Sequence, residues 1–167
     1  MSEVSLLAGK KINASSWSPN TQRDVTIFVS SNALDNDPTV VLLNKGDSDY
    51  WMSGDFVNSY IMFNFTEPVI PHTFEFSIPA LDADETCRFT PQKIVFYGSN
   101  NGYKWDSIGS YEFESITVKD KVFRCEVDCK KVYQFLKVQQ DGQNMAGTDT
   151  FTLSYINILS KSYTRKK

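Results

Sequence analysis

The chemically capable side chains of this chain lie in loops and do not form a catalytic constellation. Trp17 and the run Tyr50-Trp51-Met52, followed by Asp55, place aromatic and carboxylate groups where no regular periodicity is visible. Exposed loop aromatics stack on a sugar face, grip a peptide or enter a membrane; folded back, they plug the open end of a core. Arg23 and Arg88 offer guanidinium forks for carboxylate, phosphate or sugar hydroxyls, with a solvated face as the plainer alternative. Asp35 and Asp37, with nearby carbonyls, supply the hard oxygens that Ca²⁺ takes, or else bond their own backbone in Asx-turns. The one histidine, His72, has no Ser, Cys or acid partner close by in sequence. No serine sits in a nucleophile elbow, and no phosphate loop or dinucleotide fingerprint is present. Nothing here argues for an enzyme.

Bulk properties exclude further classes. The 167 residues suit one domain with a full core, and the aromatic share of 14% is high, with 12 Phe and 8 Tyr. A net charge of −3 gives no basic field for nucleic acid or anionic lipid. No apolar run approaches the ~20 residues of a membrane span. Met1 to Gly9 is too short and too little basic for a signal peptide. Cys87, Cys125 and Cys129 make an odd set, so the expectation is free thiols in a reducing, intracellular and cytoplasmic setting. Cys125 and Cys129 can share a strand face, but zinc would need more ligands nearby.

The elements that must carry the loops are strands. The run Ile94-Val95-Phe96-Tyr97-Gly98-Ser99-Asn100-Asn101-Gly102-Tyr103-Lys104-Trp105 reads as a strand, a tight turn and a return strand. In 59–65 the alternation turns Ile61, Phe63 and Phe65 one way and Tyr60, Met62 and Asn64 the other, with Glu67-Pro68 ending the strand. In 72–78, Phe74, Phe76 and Ile78 point inward. Further strands are expected at 11–16, 26–30, 93–97, 105–111, 121–127, 133–139 and 150–159, with at most one helical turn, near Ser31–Leu34. Short strands, polar turns and no crossover helices mean an all-β sandwich or jelly roll. The segment from Asn32 to Asn58 has no clear strand, and a loop that long is usually functional.

Several motifs, in order, resemble the discoidin family, also called F5/8 type C, of galactose-binding-like jelly-roll β-sandwiches. Asn13-Ala14-Ser15-Ser16-Trp17 is similar to its opening "x-A-S-S". Asn32 to Thr39 is similar to its "A-x-D-G-x-x-x-T" turn, with Asn36 at the glycine. Tyr60 to Phe65 is similar to "W-I-x-x-D-L/F", and the Gly98 turn through Trp105 to the family's marker. Phe135 to Asn144, then Gly147 and Phe151 to Ile158, resemble the closing motif of intracellular members. The resemblance covers roughly residues 10–160. It implies loops at one end of the sandwich as the binding surface, and a structural calcium near Asp35 in some members. The acidic position that helps hold that calcium is Asn157 here.

The resulting expectation is an N-terminal extension over 1–10, a β-sandwich over 11–160 and a basic tail over 161–167. The sandwich is expected to act as a non-catalytic binding module through Trp17, Arg23, Tyr50, Trp51, Met52, Asp55 and Arg88, with Trp105 packed in the core. Protein recognition by an intracellular adaptor leads; carbohydrate binding comes second and a structural or assembly role third. No cofactor is expected beyond a calcium at Asp35 and Asp37, and membrane-surface docking ranks last.

Overall fold

The computed structural model describes residues 2–14, 23–42, 49–81 and 86–162. Twelve strands follow in chain order: β1 (Ser2–Ser5), β2 (Ile12–Ala14), β3 (Val25–Val29), β4 (Trp51–Met52), β5 (Tyr60–Val69), β6 (Thr73–Ser77), β7 (Lys93–Ser99), β8 (Asp106–Glu112), β9 (Phe123–Glu126), β10 (Tyr133–Gln140), β11 (Thr152–Leu153) and β12 (Tyr155–Ser162). The only helical piece among the described residues is a 3₁₀ turn, Pro38–Leu42, and not the expected turn at Ser31–Leu34.

Two sheets form the sandwich. The larger has the order β2-β3-β5-β10-β7-β8 and the smaller β1-β12-β6-β9; β4 and β11 form a short ribbon of their own. Pairing is antiparallel except between β2 and β3. The period-2 alternation decides what lies between the sheets. Ile61, Phe63 and Phe65 of β5 and Phe74 and Phe76 of β6 are buried, as is Ile78 just beyond it. Phe96 of β7 stacks on Phe74 of the opposite sheet at 4.3 Å, and Phe76 stacks on Phe123.

The turn that follows β7 has a plain physical basis. Gly98 faces the Tyr133 ring, and a Cβ there would lie 2.6 Å from it. The Ser99 hydroxyl accepts the Asn101 and Gly102 N–H groups, and Asn101 Oδ1 accepts those of Tyr103 and Lys104. Asn100 clamps the turn to its neighbour, donating to Val132 O and accepting from Gln134 N–H.

Several expectations need correction. Residues 2–5 are not an extension: β1 pairs along its whole length with β12, Ser2 opposite Ser162. Its polar sequence hides a strand whose stabilisation comes from a neighbour. Likewise β12 continues through Lys161 and Ser162, which are strand and not tail; residues 163–167 lie outside the described residues. Strand β5 does not stop at Pro68 but reaches Val69. Past Phe65 its β3 partner has ended, so the missing proline N–H leaves no ladder bond unmade on that side. Trp105 is not core. It sits half-buried on the outer face of the larger sheet, edge-on to Phe135 at 6.4 Å and with the Lys137 ammonium 4.2 Å from its ring centroid.

Candidate functional site

The described parts of the segment between β3 and β5, residues 30–42 and 49–59, gather at one end of the sandwich, where β5 begins. Two loops meet there. The first, after β3, is fixed by Ala33 N–H to Met52 O (2.8 Å), by Asn36 Nδ2 to Tyr50 O (3.0 Å) and by Asn32 Nδ2 to Asn36 O (2.6 Å). Asp35 has φ 51°, the left-handed turn geometry that Asn and Asp tolerate best among residues with a side chain. The second, between β4 and β5, is tied to the first by Gly54 N–H to the Ser31 hydroxyl at 2.8 Å. Ser53 joins it to the β10–β12 connection: its hydroxyl accepts Phe151 N–H at 2.8 Å.

On this frame Asp55 is exposed, and its Oδ1 accepts the Asp149 N–H at 2.7 Å. Phe56 and Val57 follow, 64% and 70% exposed. Phe56 is held out by the backbone: its N–H bonds Gly54 O, and its carbonyl accepts the Ser59 hydroxyl at 2.7 Å. The ring lies over Gly54, where a Cβ would meet it at 2.5 Å, so only glycine permits this pose. Leu34, on the adjoining turn, is also exposed. The end thus presents the exposed ring of Phe56 next to Asp55 in the chain, with the exposed Asp35 on the adjoining turn.

The sequence-predicted residues divide. Tyr50 and Met52 are half-buried in this loop pair, and Asp55 is at its surface. Trp51 is fully buried: its ring packs edge-on against Phe151 at 5.4 Å and its indole N–H donates to Ser31 O at 3.0 Å. It closes the end of the core and does not face a ligand. Arg23 lies at the other end of β5, where the Thr66 hydroxyl donates to its carbonyl, so it does not join Tyr50 and Asp55. Arg88 is exposed with its guanidinium 5.0 Å over Phe89, on a loop that bonds the 141–151 connection through Met145 N–H to Thr90 O. Trp17 lies outside the described residues. Sequence reasoning missed Phe56 and Val57, although an apolar pair set between Asp55 and Asn58 in a polar loop was the available signal.

For a cation, the donor set is all oxygen. Asn32 Oδ1 and Asn36 Oδ1 are buried and accept no hydrogen bond. Asp37 Oδ1 already accepts the Thr39 N–H at 3.0 Å, the Asx-turn alternative. Asn157 sits on the outer face of the smaller sheet, bonded to the Ser5 hydroxyl. Among the described residues no three His, Cys, Asp or Glu side chains converge on a metal position.

At the opposite end His72 Nδ1 lies 2.7 Å from the Thr73 hydroxyl, which donates to Glu3. The hydroxyl has one proton and gives it to Glu3, so the histidine Nδ1–H donates to Thr73. Thr73 is fully buried, out of reach of any substrate. All three cysteines are free, and burial pushes the Cys125 and Cys129 thiols up, away from the reactive thiolate. Among the described residues no helix is long and apolar enough to cross a membrane.

No protein-family model matches the chain, and no curated protein does. Solved structures do. The family 32 carbohydrate-binding module of C. perfringens NanJ, in complex with galactose, superposes with a TM-score of 0.63 at 11% identity, over 82% of this chain and 94% of that one. The family 32 module of AlyQ, in complex with 4,5-unsaturated mannuronic acid, gives 0.60 at 10% identity, over 79% and 92%. A family 89 glycoside hydrolase from Clostridium perfringens matches with 0.59 at 19% identity over 86% of this chain but 15% of that enzyme. Such a match lies in one part of a far longer chain. Two facing sheets, antiparallel but for the β2–β3 pair, loops gathered at one end and these superpositions agree: the chain has the discoidin-type, galactose-binding-like jelly-roll fold.

Proposed function

We propose that the chain is a non-catalytic carbohydrate-binding module that takes its sugar at the loop end, on Phe56 with Asp55, Asp35 and Tyr50 around it. The observation that carries this reading is Phe56 itself, an aromatic ring 64% exposed that lies over Gly54. Such a ring offers its face to the C–H face of a pyranose, and the neighbouring carboxylates accept sugar hydroxyls. The galactose and the 4,5-unsaturated mannuronic acid held by the two superposed modules support sugar over protein as ligand. The protein-recognition reading that led from sequence finds no such support. A calcium held by Asn32 Oδ1, Asn36 Oδ1 and Asp35 is proposed as well; it would brace the first loop.

The test is calorimetric titration with galactose and with a panel of neutral oligosaccharides, wild type against Phe56→Ala. Because the ring is exposed, the variant keeps its fold; loss of stacking lowers affinity by roughly tenfold, about 1.4 kcal/mol. A folded Phe56→Ala protein that binds as tightly as wild type, or a wild type that binds no sugar of the panel, overturns the proposal.

A further inference from the structure

The outer face of the larger sheet carries a second, chemically distinct surface. Three adjacent strands supply it. Lys137 of β10 stands opposite Met62 of β5 on one side and Tyr97 of β7 on the other, and Gln139 stands opposite Tyr60. Phe28 of β3 extends the same row beyond Met62. The Lys137 ammonium sits 4.2 Å from the Trp105 ring centroid and 5.1 Å from those of Tyr60 and Tyr97. Attraction between the ammonium and the ring faces holds the lysine in place.

They do not satisfy it. An ammonium has three N–H donors, and among the described residues none of Lys137's meets a hydrogen-bond acceptor or a carboxylate. Its outward neighbours on the three strands are Tyr60, Met62, Asn64, Val95, Tyr97, Phe135 and Gln139, with no acid. The Lys93–Asp141 ion pair lies further along the same face, but around Lys137 itself the outward side chains are rings and uncharged groups, so in a chain of net charge −3 this is a local inversion of sign. Burial already holds the Lys137 ammonium below the usual lysine range, which an incoming anion would reverse.

We propose that this face is a second ligand surface, which takes an acidic oligosaccharide: the Lys137 ammonium receives a uronate carboxylate while Trp105, Tyr97 and Tyr60 stack on the sugar rings. Flat rings suit pyranose faces, and a fixed point charge suits a carboxylate. The Gln139 amide adds a donor and an acceptor beside them for hydroxyls. The ligand class rests on the carbohydrate reading, but the location is independent of the loop end.

The experiment is a ¹⁵N–¹H NMR titration with trigalacturonate and, as a neutral copy of the same shape, its full methyl ester. Wild type, Lys137→Met and Lys137→Arg are compared. Methionine keeps the apolar stem on the rings, and peak dispersion reports whether each variant folds. The expected result is saturable shifts at Tyr60, Tyr97, the Trp105 indole and Gln139 with the acid. The ester, and the acid on Lys137→Met, should bind about tenfold more weakly, Lys137→Arg should retain binding, and added NaCl should weaken it. Equal binding of acid and ester, shifts confined to residues 30–59, no saturation, or stronger shifts from tetraglutamate would each overturn it. Galactose, titrated in the same samples, reads the loop end separately. Shifts near Phe56 without shifts near Trp105 remove this inference alone; the reverse removes only the loop-end site.

Discussion

Replacing Trp51 by phenylalanine separates a core residue from a binding residue. The indole is fully buried, lies edge-on to Phe151 and donates to Ser31 O at 3.0 Å. Phenylalanine keeps an aromatic ring against Phe151 but removes the donor and the outer part of the ring. The lost hydrogen bond amounts to about 1 kcal/mol, and the unfilled space adds about 1–2 kcal/mol, for a total of roughly 2–3 kcal/mol. In a domain of this size that corresponds to a fall in Tm of roughly 5–10 °C. Urea unfolding followed by far-UV circular dichroism measures it, and an unchanged m-value confirms that the denatured state is not the cause. Sugar affinity, measured below the transition, should move little, because Trp51 has no surface to offer. A variant as stable as wild type that has lost sugar binding would refute this reasoning and return Trp51 to the ligand surface.

The remaining expectations are smaller. If Asn32 and Asn36 help hold calcium, CaCl₂ at about a hundredfold over Kd should stabilise the domain by about 2.7 kcal/mol relative to EDTA. It should also shift the NMR signals of residues 32–37; no change in Tm or in those signals would dismiss the metal. Strand β1 is latched by Glu3, whose carboxyl is held below the ordinary value of 4.5 first by the Arg124 guanidinium and then by the Thr73 hydroxyl. A lowered acid contributes stability that is present above 4.5 and is lost as pH falls through the lowered value, so amides 3–5 should open faster in acid. Arg124→Met should produce the same opening at neutral pH in hydrogen exchange, and protection unaffected by either change would count against the latch.

The core was the legible part of this fold. Alternating Phe and Ile in β5 and β6 leave one reading, because a one-residue slip would turn every ring into solvent. The Gly98-to-Trp105 turn was legible because its Gly, Ser and Asn act locally. What stayed hidden depends on partners distant in sequence. Ser2–Ser5 is a strand only because β12 is beside it. Trp51 and Phe56 are both aromatics in one loop, and nothing local says that one plugs the core while the other faces water. That decision lies with Phe151, a hundred residues beyond Trp51, and with the ring space above Gly54. Lys137 read as an ordinary strand residue until three separate strands and turns brought rings around it.

The pairing of Ser2 with Ser162 has a consequence for how such a module can be carried. Ser2 and Ser162 stand side by side, about 5 Å apart, at the end of the sandwich away from Phe56. A tether on either side therefore emerges at the back and leaves the loop end facing outward. With entry and exit so close, the whole sandwich can also be spliced into a surface turn of a host protein without prising the host open. The same closeness lets the old ends be joined by a short linker and new ones cut elsewhere, a rearrangement that would leave both proposed ligand surfaces intact.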